Sequence, residues 1–200
     1  MARYVALLRG VNVGKNKRIG MPALRQALAD HGFQDVATML VSGNAVLTPP
    51  AGRDGGPDAV AIDVERVVLA TFGHDVRVVV RTADELAEVV AACPLPEPAN
   101  GSRFMVAFLA DRPEPGALAD PEPTMIKDDV WWPRDREIYL WCPDGLVNSP
   151  AMAHLERLDL GVPVTVRNWN TVTKLAALAD PERSQPGASP SAAGSDGSLL

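Results

Sequence analysis

The sequence predicts an α+β protein made of two ferredoxin-like β-α-β-β-α-β lobes, with mixed or antiparallel sheets and helices on one face. Two observations predict this duplicated arrangement. The same order of apolar β-rich runs and helix-periodic runs occurs on both sides of a proline-rich stretch at residues 94–101. Two short patterns also recur: Val5-Ala6-Leu7-Leu8 resembles Val106-Ala107-Phe108-Leu109, and V-x-V-x-V-R occurs at residues 76–81 and 162–167.

In the first half, apolar or alternating runs predict strands over residues 3–8, 35–41, 45–48 and 76–81. Pro22 suits the first turn of a helix, and a series of valines from Val60 to Val68 marks a second helix. Ser42-Gly43-Asn44 is a hairpin connection whose glycine can adopt the positive φ required there. Thr82-Ala83-Asp84-Glu85 is a capping box that predicts a helix to about Cys93.

In the second half, we predict strands over residues 104–109, 129–132, 137–142 and 162–166, a short helix near Ala117, and helices beginning at Ser149 and over 170–179. The predicted domains are therefore residues 1–93 and 102–179. Residues 180–200 are mostly proline, serine, glycine and alanine, a composition typical of a flexible tail because it offers little apolar surface to bury.

Composition limits the classes of function. A net charge of -6 argues against general coating of nucleic acid, although a local basic patch is compatible with it. The two cysteines lack a C-x-x-C spacing, so we expect neither a disulfide framework nor a thiolate zinc site, and no motif calls for a cofactor or another metal. No segment has the length of a signal peptide core or a membrane span, which predicts a cytoplasmic protein without membrane contact.

Four motifs occur in order along the chain: residues 4–15 followed by Asn16-Lys17, Met21-Pro22-Ala23-Leu24-Arg25, Val41-Ser42-Gly43-Asn44, and residues 165–175. Together they resemble the bacterial family called Domain of Unknown Function 1697, over about residues 1–179. The resemblance implies a duplicated α/β fold and supplies no catalytic residues.

The basic loop at residues 9–20 is the strongest candidate binding site. It combines cationic side chains with three glycines and no acid, and such a loop between a strand and a helix can direct backbone N–H groups at a phosphate. Gly10 to Lys15 is one residue short of a phosphate-binding P-loop, and Asn16 stands where a magnesium-binding hydroxyl is needed, so a P-loop nucleotidase is rejected. The alternative is a solvated loop without a ligand. The candidate binding residues of this loop are Arg9, Asn12, Gly14, Lys15 and Lys17.

The turn at Ser42, Gly43 and Asn44 is predicted to lie beside this loop. The first and second strands of a β-α-β-β-α-β unit run parallel, so the segments that follow them leave the sheet at the same edge. The loop and the turn can then line one cleft, although turn chemistry alone also explains Ser42 to Asn44.

A third candidate cluster is Arg167, Asn168, Trp169 and Lys174, at the end of a strand and in the helix that follows. The cations and the aromatic ring can hold a phosphate and a stacked base, as in proteins that bind single-stranded nucleic acid. Helix capping by Asn168 or Asn170 explains the asparagines without a ligand.

The leading hypothesis is a protein that binds a phosphate-bearing small molecule, nucleotide or single-stranded nucleic acid at the basic loop. Two alternatives stay open: an enzyme acting on a phosphorylated metabolite in the same cleft, and a protein-interaction module whose exposed tryptophans contact a partner. The sequence identifies no catalytic residue and leaves the oligomeric state open.

Overall fold

The computed structural model describes residues 2–14, 17–53, 55–95, 98, 100–118, 121 and 123–180 of the chain. The tail predicted from residue 180 lies outside the described residues except for Asp180, which follows the last helix. None of the helices in the described part is both long enough and apolar enough to cross a membrane.

The first half forms a four-stranded antiparallel sheet, which we call the first sheet. Its strands are β1 (Tyr4–Leu8), β2 (Gln34–Met39), β3 (Asn44–Thr48) and β4 (Val78–Thr82), in the order β2-β3-β1-β4. Its helices are α1 (Met21–Asp30), α2 (Gly56–Phe72) and α3 (Ala83–Ala91). The predicted capping box of α3 is confirmed, because Thr82 accepts from the N–H of Glu85 and the Glu85 carboxylate accepts from the N–H of Thr82.

The second half forms a second antiparallel sheet with the corresponding strand order, β6-β7-β5-β8. The strands are β5 (Phe104–Leu109), β6 (Val130–Pro133), β7 (Glu137–Trp141) and β8 (Val164–Asn168). The helices are α4 (Pro123–Ile126), α5 (Pro150–Leu155) and α6 (Trp169–Ala179), and a 3₁₀ turn spans Leu146–Asn148. Asn168 caps α6, as the sequence predicted, by accepting from the N–H of Thr171 at 2.9 Å.

Both faces of each sheet are buried. In β1, alternate residues such as Ala6 pack with α1 and α2, whereas Val5 and Leu7 face a central layer formed by α3, α6 and the second sheet. In β5, Phe104 and its alternates face that central layer, and the intervening residues pack against the α4 and α5 side. This is why both central strands are uninterrupted apolar runs rather than alternating ones.

Two sequence-based expectations need correction, on the helix layers and on the helix near Ala117, and the expected sheet type is now specified. Helices do not cover only one face of each sheet, because α3, α6 and the opposing sheet cover the other face. Of the two sheet types expected, mixed or antiparallel, the antiparallel type is the one observed, because every strand pairing found in the described residues is antiparallel. The described residues around Ala117 do not form the predicted short helix. Residues 113–116 contain two prolines and a glycine, residues 115–118 form turns, and the short helix α4 lies further along the chain.

Candidate functional site

Two buried arginines join the first sheet to the second, and they define the surroundings of the candidate site. Arg167, on β8, reaches into the first sheet. Its Nε donates to Asn44 Oδ1 at 2.6 Å, and its Nη2 donates to the carbonyl of Leu8 at 2.8 Å and, at 3.2 Å, to the carbonyls of Ser42 and Gly43. Arg167 therefore binds the end of β1 and the β2–β3 turn.

Arg81, on β4, makes the corresponding contacts in the opposite direction. Its Nη2 donates to the carbonyls of Leu109 at 2.7 Å and Arg136 at 3.1 Å, and its Nε donates to Glu137 Oε1 at 2.9 Å. These acceptors are the end of β5 and the β6–β7 turn. Each arginine thus links its own sheet to the end of a central strand and the neighbouring hairpin turn of the other sheet.

The two arginines differ in their electrostatic partners. Arg81 faces the Glu137 carboxylate, and although burial lowers the pKa of Arg81, the charge of Glu137 opposes that shift. Arg167 has the neutral amide of Asn44 in the same place, and no carboxylate in the described part of the chain forms an ion pair with it. Burial lowers the pKa of Arg167 to about 10. The guanidinium of Arg167 is therefore a desolvated positive charge with no carboxylate counter-ion among the described residues.

A cavity of about 880 Å³ lies next to Arg167, between residues 8–13 and residues 152–167. We call it the Arg9 groove. The first half contributes Arg9 and Arg77 to its wall, and the second half contributes Glu156 and Asp159. Most of the remaining lining is apolar, from Leu8, Val11, Val13, Met152, Leu155 and Leu160 among others.

Arg9 and Arg77 are neighbours because their backbones pair across β1 and β4. The N–H of Arg9 donates to the carbonyl of Arg77 at 2.8 Å, which places residues directly opposite each other in an antiparallel ladder on the same face. Arg77 is also 3.4 Å from Glu65, an exposed pair that contributes little. Arg9 is exposed and belongs to no ion pair found among the described residues. Among the described arginines that line the groove, Arg9 is thus the one most available to a ligand.

The predicted loop residues separate into those that line the groove and those that build the loop. Arg9 lines it. Asn12 instead holds the loop in shape: its Nδ2 donates to the carbonyls of Ile19 at 2.9 Å and Val41 at 2.7 Å, and its Oδ1 accepts from the N–H of Ile19. Lys17 Nζ donates to the carbonyl of Asp75. Gly14 is exposed beyond the groove lining, and Lys15 lies outside the described residues.

The β2–β3 turn does lie against the loop, as strand direction predicted. Ser42 lines the groove, whereas Asn44 is fully buried beneath it as the acceptor of Arg167. Gly43 has φ +77°, and a side chain there would collide with Val11 and Leu8. The turn and the loop are therefore close-packed, and only Ser42 is left facing the cavity.

The third predicted cluster is not assembled into one surface. Arg167 borders the groove, but all its donor groups already have protein acceptors. Trp169 packs edge-on against Phe104 at 5.4 Å between ring centroids, so it supports the core. Lys174 is exposed on α6 and does not line the groove.

Sequence reasoning did not select the second-half wall of the groove or Arg77. Arg77 had a usable signal, since it precedes the valine run of β4 and faces the loop after β1. Residues 155–163 gave no signal, because only the packing of the second sheet brings them to the loop. No group of three or more histidine, cysteine or acidic side chains in the described ranges is arranged to hold a metal ion.

Comparison with known proteins agrees with the class that this fold defines, an α+β protein with two four-stranded antiparallel sheets. The model of the family described as "Protein of unknown function (DUF1697)" matches residues 1–139. The chain therefore belongs to the DUF1697 family.

Among solved structures, the chain is similar to conserved bacterial protein SP0830 from Streptococcus pneumoniae. The TM-score is 0.68 at 19% sequence identity, over 90% of this chain and 99% of that one, a likeness that concerns the fold alone. The comparison with curated proteins found no relative of this chain.

Proposed function

We propose that the protein binds a small anion-bearing ligand in the Arg9 groove. The observation that carries this proposal is the buried charge of Arg167, which has an amide where its counterpart Arg81 has a carboxylate. A desolvated cation attracts an anion more strongly than a solvated one, because less water screens the interaction.

The three arginines would act on the ligand in different ways. All the donors of Arg167 already have protein acceptors, so Arg167 contributes its positive electrostatic potential rather than a direct hydrogen bond. Arg9 is exposed on the wall and can donate directly to a phosphate or carboxylate, and Arg77 lies beside it. The phosphate-bearing ligand expected from the basic loop fits this arrangement, with Arg9 as the principal contact.

We also infer that the two halves are a duplicated ferredoxin-like unit. The equal strand orders, β2-β3-β1-β4 and β6-β7-β5-β8, support this inference. So do the reciprocal arginines, which occupy the same place in the two V-x-V-x-V-R patterns. In this interpretation the two arginine contacts between the sheets are equivalent by duplication. Only the contact of Arg167 lacks a carboxylate, because Asn44 stands where the other contact has Glu137, so only this one provides an anion site.

The interaction-module alternative has less support. Trp131 is buried, and the other three tryptophans are half-buried against the central core, so they do not form the exposed aromatic patch that this alternative needs. The enzyme alternative requires an acid or base in the groove. Glu156 and Asp159 are exposed carboxylates there, and neither has a contact that would single it out as a proton donor or acceptor.

The test is calorimetric titration of the purified protein with inorganic phosphate, a nucleoside monophosphate, a sugar phosphate and short single-stranded RNA at low and high salt. Arg9→Gln should weaken binding of the best anion about tenfold, which corresponds to ~1.4 kcal/mol, and wild-type binding should weaken as salt rises. Arg25→Gln is the matched control, because Arg25 is an exposed arginine on α1 outside the groove. The proposal would be overturned if no probe binds, if Arg9→Gln leaves binding unchanged, or if binding is indifferent to salt.

A further inference from the structure

Beyond its arginines, the Arg9 groove presents apolar side chains to solvent. At its mouth Val13 is 70% exposed and Leu146 is 39% exposed, and Leu155, Leu158 and Leu160 continue the apolar lining inward. Covering such surface releases about 25 cal/mol per Å². A ligand that carries only charged groups would leave this part of the groove uncovered.

The charges in the lining are not those of a polyanion site. The described lining holds three arginines and the two carboxylates of Glu156 and Asp159, so its formal charge is only about +1. The two exposed arginines, Arg9 and Arg77, come from the first half of the chain, whereas the buried Arg167 and both carboxylates come from the second. A chain of phosphates that crossed the groove would meet those carboxylates, whereas a single anionic group can stay on the arginine side.

We infer that the ligand is an amphipathic small molecule with one anionic group, a carboxylate or a phosphate monoester, attached to an aliphatic or ring-shaped apolar body. This inference rests on the proposed function and specifies the ligand class for the same site. The anionic group would contact Arg9 and Arg77, and the apolar body would lie against Val13 and the leucines at 155, 158 and 160. The volume of about 880 Å³ lies within the range of pockets that hold drug-sized molecules.

The experiment compares two homologous series of probes on the full chain: methyl, butyl, hexyl and octyl phosphate, and acetate, butanoate, hexanoate and octanoate. If the apolar body is buried, affinity should rise by up to about fourfold for each added CH₂ until the groove is filled, since burying one CH₂ is worth about 0.8 kcal/mol. Single-stranded RNA and a nucleoside monophosphate should bind more weakly than octyl phosphate. Comparing the two series at equal chain length identifies the preferred anionic group.

Two variants separate the anionic group from the apolar body. Val13→Ser should reduce the gain in affinity with chain length while leaving the affinity for methyl phosphate within about twofold of wild type. Val147→Ser is its matched control, because Val147 is 96% exposed and does not line the groove. Arg9→Gln should weaken every member of the preferred series by one common factor, since all share the anionic group.

The results distinguish this inference from the function on which it rests. If short anions bind and Arg9→Gln weakens them, but affinity does not grow with chain length or RNA binds more tightly than octyl phosphate, the amphipathic ligand is wrong and the anion site stands. If no probe of either series binds, or Arg9→Gln changes nothing, both proposals are wrong.

Discussion

Arg167 should stabilise the folded state because two buried acceptors are hydrogen-bonded to its guanidinium. In the variant Arg167→Met the side chain keeps much of its apolar volume and loses every donor. Asn44 Oδ1, in a residue that is fully buried, and the carbonyl of Leu8 then lose the guanidinium to which they are hydrogen-bonded. The junction between the sheets is preserved in shape but not in hydrogen bonding.

The magnitude follows from those two acceptors. Leaving a buried acceptor without a partner costs about 1–3 kcal/mol, so the pair gives about 2–6 kcal/mol of destabilisation. Removing the buried charge offsets part of this cost, because the folded state no longer bears the desolvation that lowers the pKa of Arg167. We therefore expect the free energy of unfolding to fall by about 2–3 kcal/mol.

Urea unfolding followed by tryptophan fluorescence measures this change. The double variant Asn44→Leu/Arg167→Met provides the internal control, because it removes acceptor and donor together. It should be less destabilised than the sum of the two single variants, with a coupling energy above about 1 kcal/mol. A loss below about 0.5 kcal/mol for Arg167→Met, or strict additivity in the cycle, would refute the reasoning.

Two further predictions concern local structure and pH. Gly43→Ala should destabilise the protein by more than Gly10→Ala: both positions have positive φ, which costs about 1–2 kcal/mol with a side chain, but only at Gly43 does the new methyl group collide with neighbours. Equal unfolding free energies for these two variants would contradict the packing of the turn. Burial raises the pKa of the Glu85 carboxyl, but the N–H of Thr82 and the guanidinium of Arg136 outweigh it, so the net shift of the pKa is downward. Glu85 therefore stabilises the fold above its unfolded pKa near 4.5, and the advantage of wild type over Glu85→Gln should disappear as pH falls below that value through the folded pKa. An advantage that persists at pH 2 would show that the charge of Glu85 is not the cause.

The elements that depend on local chemistry could be predicted from the sequence. The capping box at Thr82 and the cap at Asn168 involve residues three positions apart, and the positive φ of Gly43 is a property of its own backbone. The prediction of a helix near Ala117 was wrong for a local reason as well, since the neighbouring prolines and glycine outweighed a weak helical periodicity.

The candidate site was predicted only in part. Arg9 and Ser42 face one groove, as the parallel direction of β1 and β2 predicted, while the predicted ligand residues Asn12, Asn44 and Arg167 are engaged in contacts within the protein. A sequence motif shows which side chains are polar. It does not show whether those side chains already form hydrogen bonds within the protein and so have no donor or acceptor left for a ligand.

By itself the sequence determined an α+β protein with a repeated order of elements, two buried central strands, and a cationic loop after the first strand. Only the tertiary structure decided which of the polar and cationic side chains bond within the protein and which face the groove. Arg167 finds acceptors 123 to 159 positions away. Asn44 lies opposite it where Arg81 has Glu137, so Arg167 has no carboxylate ion-pair partner in the described part of the chain. Whether a buried arginine has a carboxylate beside it matters only after folding has removed both segments from water. An arginine in water is stabilised by hydration. A buried arginine needs a counter-ion, and without one it attracts an anion.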